Sequence, residues 1–463
     1  MALQNFIDEE KIESLLKKHA HPNAKDVADV LTKCKDENHQ GLTLEDITIL
    51  LNNQDLELEV EMFRIAKEIK RRIYGNRIVL FAPLYVTNTC VNNCKYCGFR
   101  TDNTDLVRKT LTSQGIKEET KRITQMGHKR LLMVYGEFPY DMGWIKETIQ
   151  DAYSVKTEPS GSIRRINVNM APLSVDDFKT LKSAGIGTYQ CFQETYNLKT
   201  YQDVHPSGPK SDYLYRLYAI HRAMESGIDD VGMGVLYGLH DYKFDTLSLF
   251  MHCQRLEKDM GVGPHTLSFP RIEPAMGSEM SYNPPHRLTD NQMRRVVAIS
   301  RLAVPYTGMI ISTRESAELR NELLEYGISQ MSAASSVYPG SYQAGKTNKK
   351  DSQQFMVNDS RSLDEVIYDL LTSLEYLPSF CTGCYRKGRT GDHFMGLAKT
   401  SFINRYCTPN GIFTCAEYLR DYASPKTKEA GRCLIKKLME EQASKTFANT
   451  LEKIQNGADD IYI

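Results

Sequence analysis

Residues 90–97 read CVNNCKYC, and residues 381–384 read CTGC with a further cysteine at 407. Each set offers three soft ligands: Cys90, Cys94 and Cys97 in the first, Cys381, Cys384 and Cys407 in the second. Four thiolates close a [4Fe–4S] cube, so three leave one iron open to an outside ligand. The competing chemistry for either trio is a zinc ion that takes a fourth ligand from elsewhere in the chain. Disulfides do not account for either trio, because three is an odd number and the N-terminal residues 1–22 lack the basic-then-apolar pattern of a secretory signal. The expected location is therefore the cytoplasm, where disulfides are rare. Of the 11 cysteines, Cys34, Cys191, Cys253, Cys415 and Cys433 lie outside both motifs and read as buried or incidental thiols.

The bulk composition excludes several partners. Lys+Arg and Asp+Glu balance at 58 each, so there is no basic excess for a nucleic-acid groove. No apolar run is long enough for a membrane span. The expectation is no nucleic acid and no membrane.

The elements that must position the cysteines show a change of period. Residues 1–76 read as a helical extension. Thr43 and Asp46 have capping-box spacing, and Met62, Ile65, Ala66, Ile69 and Ile73 recur at helical intervals before Gly75. From residue 77, short apolar runs alternate with amphipathic ones. The candidate strands are 78–83, 131–135, 166–170, 188–192, 231–236, 265–270, 308–312 and 328–332. Helical stretches fall between them, at 115–126, 141–156, 175–184, 211–226, 245–260, 289–303 and 316–326. Eight strand–helix repeats predict an α/β fold, a (β/α)8 TIM barrel over 77–355, with a doubly wound open sheet as the alternative. Residues 338–354 read as loop, Ser362 with Glu365 opens another helix, and 356–463 reads as a small C-terminal domain.

In a barrel, Cys90 follows the first strand, on the C-terminal face where barrel active sites sit. Gly136 and Glu137 end the second strand, Gln193, Glu194 and Thr195 end the fourth, and Arg314 follows the seventh. All these residues belong to the same face. A guanidinium there can grip an α-carboxylate in bidentate fashion. His265 opens the sixth strand, on the opposite face, where a lone histidine is usually structural. His393 lies near the second trio and is given no role.

CVNNCKYCGF resembles the radical S-adenosylmethionine (SAM) signature, in which an aromatic, here Tyr96, precedes the third cysteine. The resemblance implies a [4Fe–4S] cluster whose open iron chelates SAM, with Gly136 and Glu137 matching the motif that holds the SAM amino group. NVNMAPLS (167–174), YQCFQETY (189–196), GMGVLYGL (232–239), SFPRIEPA (268–275) and STRES (312–316) resemble the aromatic amino-acid lyase branch. CTGCYRKGRTGDHFM with Cys407 resembles the C-terminal motif of the HydG family of [FeFe]-hydrogenase maturation. What that family implies is a tyrosine lyase that cleaves Cα–Cβ to p-cresol and dehydroglycine. Carbon monoxide and cyanide then arise at an auxiliary [4Fe–4S] cluster. It also implies His265 as a ligand of an extra iron there, free L-cysteine as the bridge to that iron, and Arg314 on the substrate carboxylate; Gln193, Glu194 and Thr195, from their place at the end of the fourth strand, are expected to line the substrate cavity. Implied partners are L-tyrosine, a scaffold GTPase, a companion radical SAM maturase and a reduced ferredoxin- or flavodoxin-type donor. The alternatives are a related aromatic lyase of another pathway and a non-catalytic iron–sulfur carrier. Two places differ from the family pattern: SSVYPGSY at 335–342, and Asn197 where a histidine usually follows QETY. If both clusters are present, the tail caps the N-terminal face, and an internal passage with small or polar lining joins the two ends.

Overall fold

A computed structural model describes residues 3–344, 353–440 and 445–463. Residues 345–352, within the stretch expected to be loop, lie outside the described residues. Eight parallel strands form the barrel: β1 Arg77–Thr87, β2 Arg130–Tyr135, β3 Arg165–Asn169, β4 Thr188–Gln190, β5 Asp230–Gly234, β6 Thr266–Ser268, β7 Gly308–Ile311 and β8 Gln330–Ser332. Each pairs with its neighbour, and β8 closes on β1 through Val79↔Gln330, Leu80↔Met331 and Phe81↔Ser332. All eight expected strands form, so the open-sheet alternative falls. The run expected as one helix over 211–226 is broken into Tyr213–Leu217 and Ala219–Glu225.

Four capped helices precede the barrel: Glu9–Lys18, Ala24–Lys35, Leu44–Asn52 and Leu56–Tyr74. Asp8, Asn23, Thr43 and Asp55 each accept a backbone N–H at the helix start, and Thr43 with Asp46 completes a capping box. Such caps contribute about 1 kcal/mol each. The helix Leu56–Tyr74 packs against Asp290–Ala303 and Ala317–Tyr326 on the outside of the barrel. There Lys70 Nζ donates to the Leu324 carbonyl at 2.6 Å.

The sequence pattern missed a ninth strand, β9 Leu377–Ser379. It pairs parallel to the start of β1 through Arg77↔Leu377 and Val79↔Ser379. β2 pairs only with the later part of β1, from Ala82 onward, so β9 fills the lower edge that β2 leaves free. Pro378 is tolerated because β9 ends the sheet and its missing N–H breaks no further ladder. This three-residue pairing brings Cys381 to the N-terminal end of the barrel. Among the described residues no helix is long and apolar enough to cross a membrane.

Candidate active site

The upper cavity, about 210 Å³, opens at the C-terminal ends of the strands and is lined by Cys90, Cys94, Cys97, Glu137, Glu194 and Arg314. The loop after β1 carries the three thiols, none of them in a disulfide. Burial pushes all three up; Cys97 reaches about 11, with the nearby Cys90 charge adding to burial. Thiols in such surroundings give up their protons only to a cation, so the donor set fits a metal core. Among the described residues, no three His, Cys, Asp or Glu side chains converge as the ligands of one ion would. Three thiols spread around a common cavity suit a cube, which offers each thiolate its own iron.

Beside the thiols stands a charge quartet. Arg216 reaches Glu137 at 2.9 Å and Glu194 at 3.4 Å, and Lys210 Nζ reaches Glu194 at 2.7 Å. Asn92, inside the cysteine loop, donates to the second Glu137 oxygen at 2.8 Å. Burial pushes the Glu137 carboxyl up. The Arg216 and Lys210 charges and the bonds from Arg216 and Asn92 outweigh it, so Glu137 sits below the usual carboxylate range. Tyr96 lines the cavity, and its hydroxyl lies 2.7 Å from His205 Nε2. Gly136 is required by close approach: a Cβ there would stand 2.2 Å from the Thr89 carbonyl oxygen. Gly136→Ala must therefore push β2 from the cysteine loop. The expected result is a displaced cysteine loop that retains severalfold less iron after anaerobic reconstitution, checked by iron analysis against the wild type.

Arg314 has no acidic partner among the described residues. Glu315, the neighbour that could have neutralised it, is held by Arg271 at 3.0 Å. The Arg314 guanidinium lies 3.4 Å from the Phe355 ring centroid and makes one long bond, 3.4 Å, to the Arg271 carbonyl. Burial lowers its pKa. A buried fork with unused donors suits an incoming carboxylate.

Not every expected residue faces the cavity. Gln193 turns away and its amide lies 3.5 Å from the Tyr213 carbonyl; Gln190, Phe192 and Glu194 supply the lining instead. β4 ends at Gln190, and beyond it the chain leaves the strand, with Glu194 at φ 71°, so Gln193 faces away while Glu194 faces the cavity. Thr195 is likewise outside, donating to Asp245 at 3.0 Å. Asn197 caps the helix Leu198–Val204 and donates to Glu9 at 3.1 Å, so that departure falls outside the cavity lining. Ser335 and Val337, in the other departure, do line the cavity. Asn92, Lys210 and Arg216 were missed in the sequence because no spacing sets them apart from surface polar residues.

A second pocket, about 50 Å³, lies at the N-terminal face. Cys381, Cys384 and Cys407 line it together with His265. Burial raises the Cys384 thiol to about 12 and also raises Cys407. The helix Asn404–Asp421 presents Cys407 from its first turn. His265 is buried, with Nδ1 3.4 Å from Asp230 and Nε2 3.3 Å from the Tyr385 hydroxyl. Cys415 is buried in the same helix and Cys433 is exposed. His393 does not line the pocket.

The two cavities occupy successive layers of one barrel interior. Phe81, Ile310 and Ser332 line the upper one, and Val79, Gly308 and Gln330, each two residues earlier on the same strand, line the lower one. Two residues of strand span about 7 Å. Nearby interior positions are small: a Cβ on Gly232 would meet both Gln190 and Thr266 at 2.7 Å.

Comparison with known proteins agrees with this arrangement. The Radical SAM superfamily profile matches residues 84–251, and the Biotin and Thiamin Synthesis associated domain matches 268–376. A radical SAM domain implies a [4Fe–4S] cluster and SAM. The chain is 30% identical to 2-iminoacetate synthase of Escherichia coli K12 over 345 residues, 74% of this chain and 88% of that one. It superposes on a crystal structure of HydG, a maturase of the [FeFe]-hydrogenase, with TM-score 0.94 and 46% identity, covering 99% of this chain and 100% of that one. The HydG structure from Carboxydothermus hydrogenoformans gives TM-score 0.83 and 39% identity over 97% of each chain. With two cysteine trios at opposite ends of one barrel and a full-length match at this identity, the chain belongs to the HydG family of radical SAM maturases.

Proposed function

We propose that the protein is a radical SAM tyrosine lyase. It cleaves L-tyrosine to p-cresol and dehydroglycine, and converts the latter to carbon monoxide and cyanide for the [FeFe]-hydrogenase active site. The observation that carries this reading is the pairing of Arg314, which makes no ion pair among the described residues of the upper cavity, with a second thiol trio one layer below. When bound, a [4Fe–4S] cluster on Cys90, Cys94 and Cys97 with SAM supplies hydrogen-atom abstraction, and an auxiliary [4Fe–4S] cluster on Cys381, Cys384 and Cys407 supplies an iron site for the small products.

The chain's own residues do the positioning. Glu137, held by Arg216 and Asn92, accepts hydrogen bonds from the SAM amino group, and Gly136 leaves room for the cysteine loop beside it. Arg314 grips the tyrosine carboxylate, and Glu194, neutralised by Lys210 and Arg216, shapes the wall between substrate and SAM. The fragment chemistry balances: the dehydroglycine anion, C2H2NO2⁻, equals CO, CN⁻ and one water. His265, buried beside Asp230, would hold an extra iron next to the lower trio, with free L-cysteine as a further ligand. Partners consistent with this reading are a scaffold GTPase, a companion radical SAM maturase and a reduced ferredoxin- or flavodoxin-type donor.

The test is anaerobic reconstitution with iron, sulfide and L-cysteine, followed by reductant, SAM and tyrosine. Deoxyadenosine and p-cresol are expected together, and absence of both overturns the lyase. Transfer between cavities has its own test. Ser332→Phe fills the layer above Gln330, so the ratio of carbon monoxide to p-cresol should fall severalfold. An unchanged ratio would show that the fragment does not travel through the barrel.

A further inference from the structure

One residue of the upper cavity is held in a conformation that its side chain resists. Glu194 has φ 71°, in the left-handed region that favours glycine. Such a residue persists only where its surroundings fix it. Its carbonyl accepts the Leu236 N–H at 2.9 Å, just past β5, and its carboxylate takes Lys210 at 2.7 Å and Arg216 at 3.4 Å. The next two residues are gripped from behind the cavity. One Asp245 oxygen accepts both the Thr195 hydroxyl at 3.0 Å and the Tyr196 N–H at 2.8 Å. Asp245 lies on the helix Tyr242–Met260, whose start is capped by Asp241, so Asp245 has no capping duty. It is buried, and its second oxygen has no partner. Its charge is not neutralised either. The groups facing it are Asp241 on its own helix, Glu9 of the first helix, and Tyr196, Tyr213 and Tyr237 packed around it. His252, on the same helix, meets the Tyr196 hydroxyl at 2.9 Å. A half-satisfied buried carboxyl is costly. What it provides here is the grip on residues 195 and 196.

We propose that Asp245 is a positioning residue: it clamps Thr195 and Tyr196, and through them holds the left-handed turn that presents the Glu194 carboxylate to Lys210 and Arg216 beside the upper thiols. Asp245 itself does not line the cavity. Without the clamp the turn relaxes toward ordinary backbone, and the Glu194 carboxylate leaves its place in the wall. The consequence for SAM rests on the reading of that wall given above. Burial pushes the Asp245 carboxyl up to about 7; the bonds from Tyr196 and Thr195 hold it back in part, and the Asp241 and Glu9 charges add to the rise. Hydrogen bonds to an ionised carboxylate are stronger than those to a neutral one. The clamp is therefore weaker below that pH, where the group is protonated, and tightens as pH rises through it.

The experiment uses the full chain reconstituted anaerobically with iron and sulfide. Hydrogen–deuterium exchange read by mass spectrometry tests the clamp without any ligand. Asp245→Ala should speed exchange severalfold in peptides spanning 192–198 and leave those spanning 90–97 unchanged. Equilibrium dialysis with labelled SAM tests the consequence. Asp245→Ala should weaken SAM binding about tenfold, the worth of a hydrogen bond to a charged group, with iron content unchanged. Asp245→Asn keeps an acceptor oxygen without the charge, so it should restore part of that affinity. The wild type should bind SAM severalfold more tightly at pH 8 than at pH 6, with a midpoint near 7, and Asp245→Asn should lose that step. A residue that only supported the fold would not impose it. Wild-type exchange over 192–198 in Asp245→Ala overturns the proposal, as does a pH step that persists in Asp245→Asn. Faster exchange with unchanged SAM affinity also overturns it, because the turn would then move without consequence for the cavity; continued p-cresol formation would leave the lyase standing. If the wild type binds no SAM and forms no p-cresol, the lyase falls, and the exchange rates still decide the clamp.

Discussion

Replacing Cys381 and Cys384 together by alanine is expected to separate the two halves of the reaction. p-Cresol should still form, within about tenfold of the wild-type rate, while iron-bound carbon monoxide and cyanide fall below detection. The reason is positional. Both cysteines line the N-terminal pocket, whereas Cys90, Cys94, Cys97, Glu137 and Arg314 line the upper cavity. Removing two of three thiolates leaves too few ligands for an auxiliary cube. β9 keeps its pairing with β1 through backbone bonds that do not involve either side chain. Gas chromatography for p-cresol and infrared bands of metal-bound CO and CN⁻ read the two halves independently. Identical products from the variant and the wild type would remove the auxiliary role of the lower trio.

Arg314→Met is expected to lower kcat/KM for tyrosine by about a hundredfold or more, because an uncompensated substrate carboxylate would then be buried. Methionine keeps much of the apolar stem against Phe355, so packing is largely preserved. The control is tyramine, which lacks the carboxylate. Its slow processing, or the SAM cleavage it provokes, should not change with the substitution, because nothing in tyramine addresses the guanidinium. If tyrosine and tyramine suffer equally, Arg314 acts through structure and not through a carboxylate grip. Deoxyadenosine formed without substrate should persist, because the quartet of Glu137, Glu194, Lys210 and Arg216 has no bond to Arg314.

Much of the fold was legible because parallel barrels repeat one signal. Each buried strand is a short apolar or β-branched run, and each helix has an amphipathic period and a start signal; Thr43 and Ser362 form the capping boxes their spacing predicts. The signal failed where an element was short or borrowed its stability. β9 has three residues, one of them proline, and exists because β1 has a free lower edge. The 211–226 run kept helical periodicity but breaks at Tyr218, whose backbone caps one helix and opens the next.

The sequence by itself determined the chemistry of the ligands. Cysteine spacing is a local property, so C-x3-C-x2-C and C-x2-C mark their thiols as candidate ligands without any knowledge of the fold, while Cys407 meets Cys381 and Cys384 from a separate helix. Strand order likewise placed Glu137 and Arg314 on the face of Cys90, because every parallel strand of a barrel ends on one side. Only the tertiary structure decided which way side chains point and what pairs with what. Gln193 and Glu194 are adjacent in sequence, yet one faces the Tyr213 carbonyl and the other the cavity. Arg314 makes no ion pair among the described residues because Arg271, 43 residues away, holds Glu315. Arg77 and Arg130 line the lower pocket with no ion-pair partner among the described residues, as charge balance depends on neighbours in space, which spacing along the chain does not encode.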